Sequence, residues 1–180
     1  MFREKLVIIF GIDLGTVATG YGVIRVVNNS VSWVDSGVIT PDSSRPLCER
    51  LASIYDGLSR KMLQHTPQRV CIEEAFYGKN VHTTLVLGHA RGVAMLAAVK
   101  CGAQVSEYTP RVIKKTVAGN GNAAKEQVMY MIKMLLSPPC DHARSDAYDA
   151  LAIAMCDFHH SRNGTALSML TKRKRVKVGR

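Results

Sequence analysis

VIIFGIDLGTVATGYGVI, residues 7–24, contains a single acidic side chain within an otherwise apolar run. Asp13 follows residues 6–12, which are apolar on both faces, as expected of a central strand that is covered on two sides. A carboxylate at the end of such a strand is costly to bury unless a cation or hydrogen bonds compensate its charge. A Leu-Gly-Thr tripeptide follows at once. The stretch therefore fits two chemistries, a turn that grips phosphate or a metal ligand.

The composition is that of one globular domain. The chain has 180 residues, of which 47% are hydrophobic, enough to bury a continuous core. Residues 6–12 are too short to cross a bilayer, and no cleavage site follows a hydrophobic segment, so we expect neither a membrane anchor nor an export signal. The five cysteines are far apart and form no CxxC pair, which argues against disulfides and zinc and favours the cytoplasm. They are Cys48, Cys71, Cys101, Cys140 and Cys156.

The positive charge is concentrated at the C-terminus. The net charge is +10, and the last nine residues supply six of the positive charges, which leaves +4 for the rest. A basic protein gains affinity for polyanions by releasing counterions from phosphates. We expect one folded domain over residues 1–160 and a flexible basic tail over residues 161–180. The tail is either a nucleic-acid arm or a solubilising end.

The hydrophobic pattern predicts a mixed α/β fold. Residues 6–12, 20–27 and 31–39 read as a three-stranded antiparallel meander, with an Asn-Asn-Ser turn between the second and third strands. Helical spacing begins at residue 47 and ends before Pro67. The later predicted strands are 69–73 and 103–108, and the later predicted helices are 81–99, 111–117, 123–136 and 145–160. Strands that alternate with helices after a meander indicate a five-stranded mixed sheet with helices on both faces.

Four carboxylates can meet at one edge of this sheet. Asp13 ends the first strand, Glu73 ends the fourth, and Asp146 and Asp149 begin the last helix. Residues three apart on a helix share a face, so the last two can point at a common spot. Acids in a first helical turn also favour the helix dipole, which explains that pair without catalysis. Asp13 has no such explanation.

Glu73 and Glu74 are adjacent, so in a strand they point to opposite faces and only one can join the cluster. The pattern leaves this choice open. Converging acids would repel one another without metal, and hard oxygen ligands select Mg²⁺ or Mn²⁺. Two such ions, roughly 3.5 to 4 Å apart, activate water and stabilise the leaving oxygen at a phosphodiester. This chemistry is that of a nuclease.

Five motifs in order resemble the RuvC family of bacterial Holliday-junction resolving endonucleases. They are GIDLGTVATGYGVI, IEEAFYGKN, GHARGVAM, RVIKKTVAGNGNAAKEQV and SDAYDALAIA. The resemblance covers nearly everything from residue 6 to about residue 160. It implies an RNase H-like fold, a homodimer, and two-metal cleavage of four-way DNA junctions with Mg²⁺, or Mn²⁺ as a substitute. It also implies a RuvA-RuvB branch-migration complex as partner.

Carried over by motif, the catalytic and metal-binding acids implied by the resemblance are Asp13, Glu73, Asp146 and Asp149. The match selects Glu73 over Glu74. Glu74 itself departs from the family, which commonly has an uncharged polar residue there, and it adds a charge near the site.

The resemblance also implies three DNA-binding residues. Lys114 and Lys125 match basic residues near the scissile phosphate and the junction arms, where a lysine can neutralise developing charge. Phe76 matches an aromatic residue that could stack on an unpaired base, which is worth about 1 to 3 kcal/mol. From sequence alone, solvated lysines and a core phenylalanine are the simpler readings, and Tyr77 could replace Phe76 in either role.

The helix over residues 81–99 is unusually rich in small residues between Gly88 and Ala98. By analogy with the family it packs across a dimer two-fold axis, whereas packing on its own sheet explains it equally well. An isologous dimer would present two active sites to a two-fold junction and so favour symmetric nicks. Arg91 either contacts phosphate or pairs with a local acid.

Three other functions fit parts of the pattern. GIDLGT also opens actin-like and Hsp70-like ATPases, which need two related domains and about twice this length. An RNase H that cuts RNA–DNA hybrids uses the same fold and acids, and only the motifs around Phe76 and Lys114 favour a junction enzyme. A junction-binding module without catalysis would not need four acids.

Overall fold

The computed structural model describes residues 6–74, 80–139 and 144–162. Five strands and five helices lie in these ranges. The strands are β1 (Leu6–Asp13), β2 (Thr19–Val27), β3 (Ser30–Ile39), β4 (Arg69–Glu73) and β5 (Gln104–Tyr108). The helices are α1 (Leu47–His65), α2 (Val81–Lys100), α3 (Pro110–Ala118), α4 (Lys125–Leu136) and α5 (Ser145–Arg162).

The strands form one mixed sheet in the order β3-β2-β1-β4-β5. β1, β2 and β3 pair antiparallel, with Asp13 opposite Gly20. β4 runs parallel to β1, and β5 runs parallel to β4, with Glu73 opposite Tyr108. Parallel strands share the edge at which their carboxyl ends lie, so the ends of β1 and β4 are neighbours. The predicted five-stranded mixed sheet is confirmed.

The sheet separates two apolar cores, as its central strands predict. Ile9 and Ile24 pack with α3, α4 and α5 on one face. Phe10 and Ile12 pack with α1 and α2 on the other. Because side chains alternate along a strand, Asp13 points to the same face as Ile9, toward α5. Helices therefore cover both faces, and the acid at the end of β1 faces the last helix.

Helix α5 lies directly on the sheet because glycines form the surface beneath it. A Cβ on Gly11 would overlap the Ala150 carbonyl, and a Cβ on Gly22 would lie 2.6 Å from the Leu151 nitrogen. No side chain larger than hydrogen fits between the backbones there. This close approach brings the first turn of α5 level with the end of β1.

The observed helix boundaries differ from the predicted ones by one or two residues. Helix α4 begins at Lys125 rather than residue 123, because Ala124 has extended geometry as the N-cap and Ala123 closes a turn on Asn120. Helix α5 continues to Arg162, two residues beyond the prediction. Helix α1 ends where Thr66 adopts a left-handed conformation, one residue before Pro67. None of these shifts moves a predicted site residue to another element.

Several residues named from the sequence lie outside the described residues: Phe76, Tyr77, Cys140 and residues 163–180 of the basic tail. The four cysteines in the described ranges are free thiols, and two of them, Cys71 and Cys156, are buried. No helix in the described ranges has both the length and the apolarity needed to cross a lipid bilayer.

Candidate active site

Three aspartates from two elements converge at the end of β1. Asp13, Asp146 and Asp149 each offer a carboxylate oxygen, and these oxygens lie within 4.8 Å of one another. Asp13 comes from the sheet, whereas the other two lie three residues apart on the first turns of α5. Such a group of hard oxygen donors suits a divalent cation such as Mg²⁺ or Mn²⁺.

Glu73 extends this group from the end of β4. Alternation along the strand places Glu73 on the same face as buried Cys71, which packs with α5. Glu73 and Asp13 line one cleft. Glu74 is exposed, and its backbone N–H donates to the Tyr108 carbonyl at 2.8 Å. The structure thus brings Glu73, and not Glu74, to the acids.

Three of the four acids line a cleft of about 350 Å³ between β1, β4, α3, α4 and α5. Its polar lining consists of Asp13, Glu73, Asp149, Lys114 and Lys125. Its apolar lining, which sequence reasoning did not identify, consists of Pro110, Ile113, Val128, Ala152 and Ile153. A cleft lined by both carboxylates and lysines suits a phosphate ester bound beside a cation.

Burial and mutual repulsion disfavour the charged state of Asp13. Burial is the largest cause of a rise in its pKa from 3.8 to about 7. The other carboxylates raise the pKa further, in the order Asp149, Glu73 and Asp146, and only Lys125 opposes them. A carboxylate that resists ionisation among other acids is stabilised by a cation, so the electrostatics fit a metal site.

The pKa values of Glu73 and Asp149 are also raised. Burial raises the pKa of Glu73, and Asp149 raises it further, while Lys114 and Lys125 lower it. Burial also raises the pKa of Asp149, against the opposing effect of Lys125. The whole group therefore carries more negative charge than its surroundings compensate.

The two predicted lysines line this cleft from two helices, α3 and α4. Lys125, the first residue of α4, donates from Nζ to Asp149 Oδ2 at 2.5 Å, and its side chain is 52% exposed. Lys114, on α3, is half-buried and lines the cleft. Both lysines can reach a phosphate that enters the cleft, as expected of groups that neutralise its charge.

Arg91 does not face the cleft. Its Nε and Nη2 donate to the two carboxylate oxygens of Glu107, at 2.5 and 2.7 Å. Of the two readings left open by the sequence, pairing with a local acid is the one that the structure shows.

Comparison with known proteins agrees with this architecture. A family model described as crossover junction endodeoxyribonuclease RuvC matches residues 9–157. The chain belongs to the RuvC family. The RuvC of Syntrophotalea carbinolica is 48% identical over 151 residues, which cover 84% of this chain and 93% of that protein. The family resemblance seen in the motifs is confirmed.

Solved structures of similar proteins share the fold of this RuvC-family chain. The structure of T. thermophilus RuvC in complex with a Holliday junction substrate matches with a TM-score of 0.82 at 30% identity, covering 89% of this chain and 98% of that one. The yeast mitochondrial Holliday junction resolvase Ydc2 matches with a TM-score of 0.60 at 14% identity, a likeness of fold alone. The mixed sheet with helices on both faces is thus the RNase H-like fold of the RuvC family.

Glycines at the site are a further feature that sequence reasoning overlooked. Gly20 lies opposite Asp13 in the sheet, and a Cβ there would overlap the Asp146 carbonyl. The sequence signal for this close approach is the spacing of Gly20 and Gly22, which occupy alternate positions of β2 and so belong to one face of the sheet.

Proposed function

We propose that this chain is a metal-dependent endonuclease that resolves four-way (Holliday) DNA junctions by paired symmetric nicks, in homologous recombination and DNA repair. The observation that carries the proposal is the convergence of Asp13, Asp146 and Asp149 within 4.8 Å, with Glu73 at the same cleft, in a chain of the RuvC family. The relative from T. thermophilus has a structure with this substrate.

We propose Asp13, Glu73, Asp146 and Asp149 as the metal-binding and catalytic acids, with two Mg²⁺ per site and Mn²⁺ as a substitute. The oxygen donor set and the raised pKa of Asp13 support this assignment. When bound, the ions would activate the attacking water and stabilise the leaving oxygen. The acids hold the ions, and Asp13 releases its proton when the cation replaces it.

The lysines act on the substrate. Lys114 and Lys125 bind the phosphate in the cleft and neutralise charge that develops on it in the transition state. Lys125 holds Asp149 by an ion pair and is exposed enough to turn toward DNA. Phe76, beyond the described residues, is proposed to stack on a base at the junction centre, on the strength of the family motif.

The protein acts as a homodimer that packs through α2. One stripe along this helix is exposed and apolar: Val81, Leu85, Gly88, Gly92, Leu96 and Val99. A Cβ on Gly88 or Gly92 would meet nothing within 4 Å, so another backbone can approach there. Contiguous exposed apolar surface of this kind is typical of a protein interface. The opposite side of α2, including Ala90 and Ala94, is buried against its own domain.

The remaining parts of the proposal rest on family membership. Residues 1–160 form the nuclease domain, and residues 161–180 form a basic tail. The enzyme works in the cytoplasm on junctions supplied by a RuvA-RuvB branch-migration complex.

The deciding experiment compares the purified protein with its Asp13→Asn variant in Mg²⁺. Each is given a synthetic four-way junction, a linear duplex and an RNA–DNA hybrid of the same sequence. We expect paired nicks at symmetric positions of the junction, and we expect the variant to lose cleavage by at least about a thousandfold while it binds the junction normally. Asp56→Asn, on the exposed side of α1, is the matched control for removal of an acid.

Each contrary outcome points to a specific error. Preference for the hybrid would replace the junction proposal with an RNase H activity. Cleavage that persists in EDTA would overturn the metal mechanism. Binding without any cleavage by the parent protein would indicate a junction-binding module.

A further inference from the structure

A buried carboxylate near the far end of α5 has no part in the proposed chemistry. Asp157 is fully buried, with 0% of its surface exposed. Its Oδ1 accepts a hydrogen bond from Arg69 Nη2 at 2.8 Å and another from the Tyr108 hydroxyl at 2.8 Å. The same Arg69 nitrogen donates to the Asp157 carbonyl at 3.4 Å. An ionised side chain at this depth is costly unless it is paired and hydrogen-bonded in this way.

Arg69 and Tyr108, which hold Asp157, come from the neighbouring parallel strands β4 and β5. Arg69 is the first residue of β4, and Glu73 is its last. Tyr108 lies opposite Glu73 in the parallel register, and its backbone carbonyl accepts a hydrogen bond from the Glu74 N–H. The carboxylate of Asp157 is therefore connected through one side chain to each end of β4.

Asp157 and the site aspartates belong to the same face of the same helix. Asp157 is eleven positions after Asp146, which is close to three whole turns and about 16 Å along the axis. The helix is continuous between them. A shift of α5 along its axis at Asp157 would thus be carried rigidly to Asp146 and Asp149.

Apolar packing and hydrogen bonds hold α5 on the sheet in different ways. Ile9 and Ile24 pack with the helix through side chains, whereas Gly11, Gly20 and Gly22 let its backbone approach closely. Apolar contacts are not directional. Directional hydrogen bonds to a buried carboxylate add an axial constraint at the far end of the helix.

We infer that Asp157, held by Arg69 and Tyr108, is a positioning residue that fixes α5 relative to β4 so that the metal-binding acids of the two elements meet. The inference rests on the proposed function, because it concerns the same site. A buried ion pair is weak as a net source of stability but strong as a geometric constraint. Loss of one partner also destabilises the fold, so metal binding is the measurement that tests the positioning role.

The test uses two variants of the network and one control. Tyr108→Phe removes a single hydroxyl, and Asp157→Asn keeps the shape and removes the charge. Asp35→Asn is the matched control, since Asp35 also accepts hydrogen bonds from Lys61 and His65, both at 2.9 Å, but lies on β3 facing α1. For each full-length protein, Mn²⁺ affinity is measured by electron paramagnetic resonance without DNA, alongside the Mg²⁺ dependence of junction cleavage and the melting temperature.

We expect Tyr108→Phe and Asp157→Asn to weaken Mn²⁺ binding by about tenfold, no more than the smallest loss that follows removal of a group bonded directly to a metal ligand. The Mg²⁺ concentration for half-maximal cleavage should rise by the same factor, while junction affinity in EDTA stays at the parent value. Asp35→Asn should lower the melting temperature and leave both metal constants unchanged.

Parent-like Mn²⁺ affinity in Tyr108→Phe would overturn the inference, as would an equal loss in Asp35→Asn. If Asp157→Asn does not fold, Tyr108→Phe decides alone, because it preserves the packing. A parent protein that binds Mn²⁺ but cuts no junction would refute the proposed function. The difference in Mn²⁺ affinity between the parent and the variants would still test the positioning role.

Discussion

Gly20 on β2 lies directly beneath the Asp146 carbonyl of α5, with no room for a Cβ between them. Gly20 is also the sheet partner of Asp13. One glycine thus brings a strand acid and a helix acid together, because only hydrogen permits that approach.

Replacing Gly20 by alanine should separate the acids without touching any of them. The added methyl must push the first turn of α5 away from β2, so we expect Gly20→Ala to reduce cleavage by at least about a hundredfold, as misplacement of a catalytic group by about 1 Å does. Steady-state cleavage of a four-way junction in Mg²⁺ measures the loss. Gly57→Ala is the control, since the nearest neighbour of its Cβ would be the Ile39 side chain, at 2.9 Å, rather than backbone. Equal rates for Gly20→Ala and the parent would show that α5 is not held this closely.

The raised pKa of Asp13 predicts how the metal-free protein responds to pH. A group whose pKa rises from 3.8 to about 7 on folding stabilises the fold while protonated, and that contribution disappears as the pH rises through about 7. In EDTA we therefore expect the free energy of unfolding to fall by roughly 2 kcal/mol between pH 5 and pH 8. Chemical denaturation at both pH values measures it.

Two comparisons isolate the contribution of Asp13 to this pH dependence. Asp13→Asn has no carboxylate to ionise, so its stability should fall less over the same range, whereas exposed Asp56→Asn should follow the parent. Mg²⁺ should restore the parent at pH 8, because it binds the folded acids. The electrostatic description would be wrong if the parent and Asp13→Asn lost the same stability.

Lys125 should influence metal affinity and catalysis in opposite directions. Its Nζ is bonded to Asp149 Oδ2, where it competes with a cation. Lys125→Met should tighten Mn²⁺ binding at pH 8 by about fivefold, consistent with about 1 kcal/mol for a half-exposed charge. It should also lower the metal-saturated cleavage rate by about a hundredfold, since the positive charge that neutralises the phosphate is lost.

Lys115→Met serves as the control for Lys125→Met, because Lys115 is exposed on α3 and does not line the cleft. Calorimetry with Mn²⁺ and single-turnover cleavage give the two quantities. A Lys125→Met protein with weaker metal binding would indicate that the lysine supports the acids rather than competing for them.

The stripe on α2 predicts the oligomeric state. Leu96 is 51% exposed in the single chain, and burying a charge there without a partner is costly. Leu96→Glu should weaken self-association by about a hundredfold in sedimentation equilibrium. It should also convert paired nicks into single ones. Leu63→Glu, on α1 and 71% exposed, should remain a dimer. A dimeric Leu96→Glu protein would place the interface elsewhere.

The sequence predicted the elements well because their signals are local. Alternation, helical spacing and Pro67 are read within a few residues, so the strands and helices were correct to one or two positions. The choice between Glu73 and Glu74 is not local. β4 is buried on both faces, so its apolar pattern does not tell which face meets α5, and the family motif was needed to choose.

The sequence pattern did not predict which residues from distant elements contact one another in and around the site. Asp157 appeared as one more polar residue late in a helix, and nothing near it in sequence indicates Arg69 or Tyr108. Gly20 read as a strand residue, although its spacing from Gly22 hinted at close packing on one face. Such relationships depend on which elements pack together, and that is decided by the whole fold.

The basic tail gives a final prediction that depends only on charge. Residues 172–180 carry six positive charges, and each phosphate they neutralise adds about 0.9 to the slope of log affinity against log salt. A chain that ends at residue 171 should bind a four-way junction more weakly at low salt and show a shallower slope. Fluorescence anisotropy over a range of salt concentrations measures both. A full-length variant with glutamine at the six basic positions controls for length and should match the truncation, whereas an unchanged slope would mean that the tail does not contact DNA.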